Sequence, residues 1–281
     1  MQWEKAKNYI LISFILLNIL LGGLIFLESR RYTMTSDRVR NINFVLGQNN
    51  ISLYSNLMQQ RFTPMRSLDV SGFYYDVDEL INFFFDEPEL VTQPNPDRQV
   101  FRHGNSELQI SGGLVIFDFN VYGLGQGGEI SREEAARITN AFVNEHFPTF
   151  VPDITFERDN GVRLVYREEY NGRVVYLNFI EFFVTEFGIE WIEKQRGQIL
   201  GYSTAPRNIF APDEALLTFI QYAREIDEPI IITRLEMVYF QEYEGLQSGT
   251  FYPAIPAYRI FIEGNEESTY LINAFTNRMI N

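Results

Sequence analysis

The sequence predicts an α+β protein: a single N-terminal transmembrane helix followed by an extracytoplasmic body of two helix-plus-antiparallel-sheet domains. Three observations carry that reading. The run from Tyr9 to Leu27 is almost wholly apolar and uncharged, the chain after Glu28 is dominated by segments of period-2 alternation, and an amphipathic helix with a clear start precedes such segments twice, at Ser131 and at Pro212. The expected layout is a cytoplasmic tail over 1–8, the membrane helix over 9–27, a juxtamembrane linker over 28–35, a first α+β domain over 36–122, a glycine-rich linker over 123–128 and a second α+β domain over 129–281.

At about 1.5 Å rise per residue, a helix over 9–27 crosses the ~30 Å hydrocarbon core. Lys5 and Lys7 give it a short basic start, as in a signal peptide. The apolar stretch is longer than the roughly 7–15 residues of a cleaved signal core, and no A-x-A-like site follows, so the segment reads as an uncleaved anchor. The basic residues beyond the helix, Arg30, Arg31, Arg38 and Arg40, outnumber Lys5 and Lys7 and would alone place the body inside. The very short N-terminal tail and the resemblance given below favour the opposite orientation, N-terminus cytoplasmic and body outside.

No cysteine occurs in 281 residues, which excludes disulfides, thiolate nucleophiles and Cys-type zinc sites. The chain reads as a bacterial envelope protein held by its core alone, and its 46% hydrophobic content suffices to build one. A net charge of −14 argues against nucleic acid or anionic lipid as a partner of the body, leaving basic partners or colloidal stability as its meaning.

In the expected first domain, Ser36–Gly47 reads as a helix and Met65–Tyr74 as a strand, and Asp76 opens a second helix that stops before Pro88. Three prolines break the tract Glu87–Asp97, after which Gln99–His103, Leu108–Ser111 and Leu114–Tyr122 alternate as antiparallel strands around a Gly104-Asn105 turn. In the second, Ser131 and Glu134 form a capping box ahead of a helix that buries Ala135, Ile138, Phe142 and Val143 and ends before Pro148. Strands over Ile154–Arg158, Val162–Tyr170, Val174–Thr185 and Ile189–Gln195 follow, with Asn160-Gly161 and Asn171-Gly172 as hairpin turns of positive φ. A helix from Pro212 turns Leu216, Phe219, Ile220 and Ala223 inward and stops before Pro229, and strands near Ile231–Glu242, Ala257–Glu263 and Thr269–Phe275 close the chain.

The motifs that would carry chemistry fail on context. Gly123–Gly128 matches G-x-G-x-x-G, but the strand before it alternates Asp118 and Asn120 with Phe117 and Phe119, unlike a dinucleotide-binding strand buried on both faces. His103 and His146 lie on different elements without ligand-spaced carboxylates. Asp76, Asp78 and Glu79 lack the glycine and terminal glutamate of a calcium loop, and helix capping explains them. Adjacent Glu168 and Glu169 point to opposite faces of a strand, and Glu181, Glu186, Glu190 and Glu193 read as solvated sheet faces before they read as a glycosidase pair. No G-x-S-x-G, P-loop or H-E-x-x-H is present, so the expectation is a non-enzyme with no catalytic, cofactor-binding or metal-binding residues. The anchor is more suggestive. Asn18 falls near the bilayer centre, and Leu11, Phe14, Ile15, Asn18, Leu21, Gly22 and Ile25 share one helical face, with Gly22 permitting close approach of a partner helix.

The opening Met1-Gln2-Trp3-Glu4-Lys5-Ala6-Lys7, the anchor with Phe14 and Asn18, the acidic body, and the endings Ala257-Tyr258-Arg259-Ile260 and Tyr270-Leu271-Ile272-Asn273-Ala274-Phe275 together resemble the YycI (WalI) family over the whole chain. Tyr258 stands where that family would lead one to expect an aromatic such as Trp before the arginine. The resemblance implies a membrane-anchored accessory protein of the WalK/WalR (YycG/YycF) two-component system of Gram-positive bacteria. It would act with YycH on the sensor histidine kinase and so on cell-wall homeostasis, with no catalytic site. Two other classes stay open on the residues alone: an extracytoplasmic module binding a cell-wall fragment or peptide, and a membrane-tethered hydrolase with converging carboxylates.

Overall fold

The structure, a computed structural model, describes residues 2–54, 56, 62–73, 75–85, 89–90, 98–119, 129–158, 160–203, 205–223, 228–241 and 251–280. The glycine-rich stretch Gly123–Gly128 and the prolines Pro88, Pro94 and Pro96 lie outside the described residues.

The chain runs α1 (Gln2–Arg31), α2 (Ser36–Gln48), β1 (Ile51–Leu53), β2 (Leu68–Ser71), α3 (Val77–Phe84), β3 (Glu89–Leu90), β4 (Arg98–His103), β5 (Ser106–Ser111), β6 (Leu114–Asp118), α4 (Arg132–His146), β7 (Phe150–Arg158), β8 (Gly161–Tyr170), β9 (Arg173–Thr185), β10 (Gly188–Gln195), β11 (Ile199–Tyr202), α5 (Pro212–Ala223), β12 (Ile230–Gln241), β13 (Phe251–Ile262), β14 (Asn265–Asn273) and β15 (Arg278–Ile280). The α+β class stands. Among the described residues the strands form one branched hydrogen-bonded network, ordered β11-β2-β13-β12-β9-β10-β6-β5-β4-β3, with β7-β8 attached at β9, β14-β15 at β13 and β1 at β12. Its pairings are antiparallel except β1 with β12 and β12 with β9.

Local chemistry sets the helix starts. Asp76 accepts from the backbone N–H groups of Asp78 and Glu79 at 3.0 and 3.1 Å, which fixes α3. The Ser131 hydroxyl accepts from Glu134 N–H at 3.2 Å, while the Glu134 carboxylate turns to Arg137 and not back to the cap. At α5 the other half of the device is made, for Ala211 N–H donates to the Glu214 carboxylate at 2.7 Å. Of the two expected Asn-Gly turns, Asn171 (φ 51°) and Gly172 (φ 74°) have the left-handed geometry of a tight hairpin. Gly161 does not; it is needed because a Cβ there would lie 2.5 Å from the Val184 carbonyl oxygen. Pro152 is tolerated in β7, an edge strand whose register breaks between Pro152 and Ile154. β13 begins at Phe251, earlier than expected, because it pairs first with β2 over 251–254 and then with β14 over 257–262, and Pro256 falls at the changeover.

The buried residues form two principal clusters, and neither coincides with 36–122 or 129–281. One gathers Ile42 and Leu46 of α2, Leu68 and Val70 of β2, Leu216 and Phe219 of α5, and the inner faces of β12 to β14. The other gathers Leu80 of α3, Leu108 and Phe117 of β5 and β6, Ala135 and Val143 of α4, and the inner faces of β8 to β10. The architecture is therefore nested: the segment from α3 to β10 closes its own core, and the elements before and after it close the other. The repeated helix-then-sheet pattern is present, but α2, β1 and β2 pack with the second copy.

β9 joins the two clusters by turning a corner. Its register with β8 jumps from Arg167↔Phe179 to Glu168↔Val175, which leaves 176–178 outside the pairing. Asn178, fully buried in that corner, donates to the Glu168 carboxylate at 2.6 Å and the Gly197 carbonyl at 2.8 Å, and accepts from Gly197 N–H at 2.9 Å. Gly197 has no room for a side chain, since a Cβ would lie 2.6 Å from the Ser71 carbonyl oxygen and 2.7 Å from Val70.

Candidate interaction site

Two places merit functional reading, the exposed helix α1 and a groove in the body. All seven residues expected to form a docking face lie on α1. Leu11, Phe14, Ile15 and Leu21 are exposed, no atom lies within 4 Å of a Cβ built on Gly22, and the side chain of Ile25 lies outside the described residues. The stretch Lys7–Leu24 is long and apolar enough to cross a membrane, and none of it is buried. Asn18 donates to the Phe14 carbonyl at 2.9 Å, so one of its amide hydrogens is satisfied within the helix. Past the helix, Arg38 binds Asp213 of α5 through two 2.7 Å bonds and Arg40 binds Asp37 at 2.6 Å, so two of the four flanking arginines are engaged in the fold.

The groove has a volume of about 740 Å³ and lies between α3, the end of α4 and the sheet. Its walls are rings. Phe83 and Phe142 place their centroids 5.0 and 4.8 Å from the His146 ring, and Phe147 closes the end of α4. Its floor is the row Ile192, Lys194 and Arg196, which alternation along β10 and just past it directs to one face. Arg196 donates to the buried Glu168 carboxylate at 2.6 Å, and Glu168 also accepts from Thr149 at 3.2 Å and from Asn178. Tyr75 accepts the Arg196 backbone N–H at 2.7 Å, and burial pushes its hydroxyl above the ordinary range. Lys194 differs: its Nζ sits 4.6 Å from the Phe147 ring centroid and 5.5 Å from that of Tyr75. Burial, and then the charge of Arg196, push its ammonium down to about 8.

A second buried ionic cluster lies where β7 and β8 meet β12 and β13. Asp153 accepts from Arg167 Nε at 2.6 Å and from Arg259 Nη1 at 2.8 Å, and Glu236 accepts from Arg259 at 3.3 Å. Arg259 is fully buried; its Nε and Nη2 have no hydrogen-bond partner among the described residues, and its guanidinium lies 4.3 Å from the Phe261 ring centroid and 5.1 Å from that of Tyr176. Burial holds Glu236 above and Arg167 below their ordinary values.

The glutamates expected on solvated faces divide. Glu186 is exposed, but Glu181 and Glu190 are buried, because the face of β9 and β10 opposite α4 carries aromatic rings such as the stacked Phe183 and Trp191. Glu181 faces Glu193 across the strand pair and is gripped by Arg163, so its charge is compensated locally. Burial, then Glu181, push Glu193 upward. Among the described residues no three metal-ligating side chains come together. Lys194, Arg196, Asp153, Arg167 and Glu236 were not singled out by sequence reasoning, and Arg259 entered only among the residues that carry the resemblance. The available signal was a cation set among apolar strand residues, Lys194 two positions from Ile192 on one face of β10 and Arg259 between Tyr258 and Ile260 in β13.

No family model and no curated protein matches the chain. Solved structures do. An uncharacterized protein from Eubacterium rectale ATCC 33656 is similar over 82% of this chain and 89% of its own, at 11% identity and a TM-score of 0.52. The C-terminal domain of Bacillus megaterium YpeB is similar over 75% of this chain and 97% of its own, at 10% identity and a TM-score of 0.43. At such identities the first likeness is one of fold alone.

Proposed function

We propose that the chain is a membrane-anchored regulatory interaction protein which, with a YycH-like partner, modulates a WalK-type sensor histidine kinase controlling cell-wall homeostasis. The observation that carries this reading is α1, a helix whose apolar stretch is left bare by a large α+β body. The whole-chain resemblance to YycI adds the partners and the orientation, with the N-terminus cytoplasmic and the body extracytoplasmic. Regulation here is lateral packing: the face through Phe14, Asn18, Gly22 and Ile25 meets the membrane helices of the kinase or of the YycH-like protein, and the body sets the geometry of that contact.

The test is membrane two-hybrid signal together with kinase output at equal expression. An interhelical hydrogen bond in lipid is worth about 0.6 to 2 kcal/mol, so Asn18→Leu is expected to weaken association several-fold. Gly22→Ile, which blocks close approach, is expected to weaken it more, and Ser13→Leu on the opposite face to change little. Full function with an unrelated anchor of equal length would move specificity to the body. A reporter fused after Asn281 that is inactive outside the cell would overturn the orientation.

A further inference from the structure

The groove carries a second inference, which goes beyond the anchor's role and rests on the body alone. Buried charges elsewhere in the body are answered: Arg167 and Arg259 by Asp153, Glu168 by Arg196, Glu181 by Arg163. Lys194, half-buried, differs: among the described residues no carboxylate forms an ion pair with its Nζ, and Glu79 and Glu168 act on it only from longer range, outweighed by burial and by Arg196. A desolvated ammonium without a counter-ion is costly, and two aromatic faces offset only part of that cost. The floor of the groove therefore holds half of an ion pair.

The surroundings restrict what could supply the other half. Arg196, the neighbouring cation, is committed to Glu168, so the floor offers one charge. Asp76, Glu79 and Glu169 line the same groove from its exposed side and disfavour an anion of multiple charge, such as a phosphate. The walls are Phe83, Phe142 and Phe147, and the volume of about 740 Å³ falls within the range of small-ligand sites. We propose that this groove binds an apolar monocarboxylate, with Lys194 Nζ meeting the carboxylate and the three phenylalanine rings packing on the apolar body. Such a group is offered by a free organic acid or by the C-terminus of a polypeptide ending in an apolar residue. This gives chemical content to the ligand-binding class that the sequence left open.

The pH dependence follows in sign. The carboxylate needs the charged ammonium and must itself be ionised, so affinity is full from about pH 6 to about pH 7 and falls as pH rises through about 8. The other charged or titratable groups lining the groove are Arg196, Glu168, Asp76, Glu79, Glu169, His146 and Tyr170, and burial keeps the Tyr75 hydroxyl protonated above its ordinary range.

The experiment uses the full chain in lipid nanodiscs, with empty nanodiscs subtracting partition into lipid. Calorimetric or NMR titration compares hydrocinnamate with its neutral amide, and acetyl-Ala-Ala-Phe with its C-terminal amide. At least one acid is expected to bind saturably at one site, its amide at least about ten-fold more weakly. Binding of both acids identifies a site open to polypeptide ends, and binding of hydrocinnamate alone identifies a free acid as the source. Lys194→Met is expected to abolish the preference for acid over amide with the circular dichroism spectrum unchanged. Should that variant fail to fold, the unaltered protein still decides, because acid affinity must fall between about pH 7 and about pH 9.5 while amide affinity stays flat. Equal binding of acid and amide, no saturable binding of either acid, a preference that survives Lys194→Met, or a flat pH profile would each overturn the proposal. None of these outcomes bears on association through α1.

Discussion

The Asp153 cluster and the groove floor both bury cations on sheet faces, yet they solve the problem differently. At the cluster, Asp153 is shared by Arg167 and Arg259, and rings fill the remaining space around the guanidinium groups. At the groove, half-buried Lys194 has rings but no ion-paired carboxylate among the described residues, and open volume stands beside it. A closed cluster of this kind fixes how β7 and β8 dock on β12 and β13. An open one leaves free energy available to whatever enters. Burial alone thus does not distinguish a structural charge from a binding charge; the presence of an ion-paired counter-charge does.

Asp153→Ala tests whether the cluster is closed. Removing the shared anion leaves the buried Arg167 guanidinium without its ion-pair partner and Arg259 with Glu236 alone, and a loss of about 3 to 5 kcal/mol is expected in denaturant unfolding. A change below about 1 kcal/mol would show that water reaches the arginines and that the cluster is not closed. Gly197→Ala probes the corner between the regions. Its Cβ would press on the Ser71 carbonyl and Val70, so a loss of about 1 to 3 kcal/mol is expected, with the Asn178 bonds weakened.

Lys194 gives an effect of opposite sign. Its folded pKa, about 8, lies below the unfolded value, so between pH 8 and about 10 the unfolded chain binds more protons. Stability is expected to rise over that window by on the order of 1 to 2 kcal/mol, and Lys194→Met should remove the rise. Above about pH 10 the trend reverses, because burial holds Tyr75, Tyr239 and Tyr258 protonated while unfolded tyrosines ionise. Equal pH slopes for the two proteins would show that Lys194 is solvated and the groove floor is not dry. The smallest expected effect is at the groove's rim, where Asp76→Ala removes the α3 cap and costs about 1 kcal/mol by thermal unfolding.

Local signals in the sequence were legible where the physics is local. The caps at Asp76 and Ser131, the turn at Asn171-Gly172 and the alternation of β4 to β10 all follow from residues within a few positions of one another. Short elements whose existence depends on distant partners were not legible: β1 is held by β12, and β11 by β2. The nested cores escaped for the same reason, since nothing in 36–71 states that its apolar residues await α5 and β13. The groove was legible only in part. Asp76 and Glu79 were read as helix-start residues and His146 as an isolated histidine, but the setting of Lys194 depends on which distant carboxylates reach its ammonium and which are taken by Arg196, and no spacing rule encodes that.

The pairing of Ile51 with Ile230 also has a consequence for biosynthesis. α2, β1 and β2 leave the ribosome directly behind α1, yet the strands that cover them, β12 and β13, are made long afterwards. The segment from α3 to β10 can close its core in the meantime, while Ile42, Leu46, Leu68 and Val70 stay uncovered. Such long-range closure is slow and leaves apolar surface exposed to misassociation. A nascent chain stalled before β12 should therefore expose, next to α1, the surface most in need of a chaperone, and removal of β12 to β15 should be felt first at the residues that follow α1.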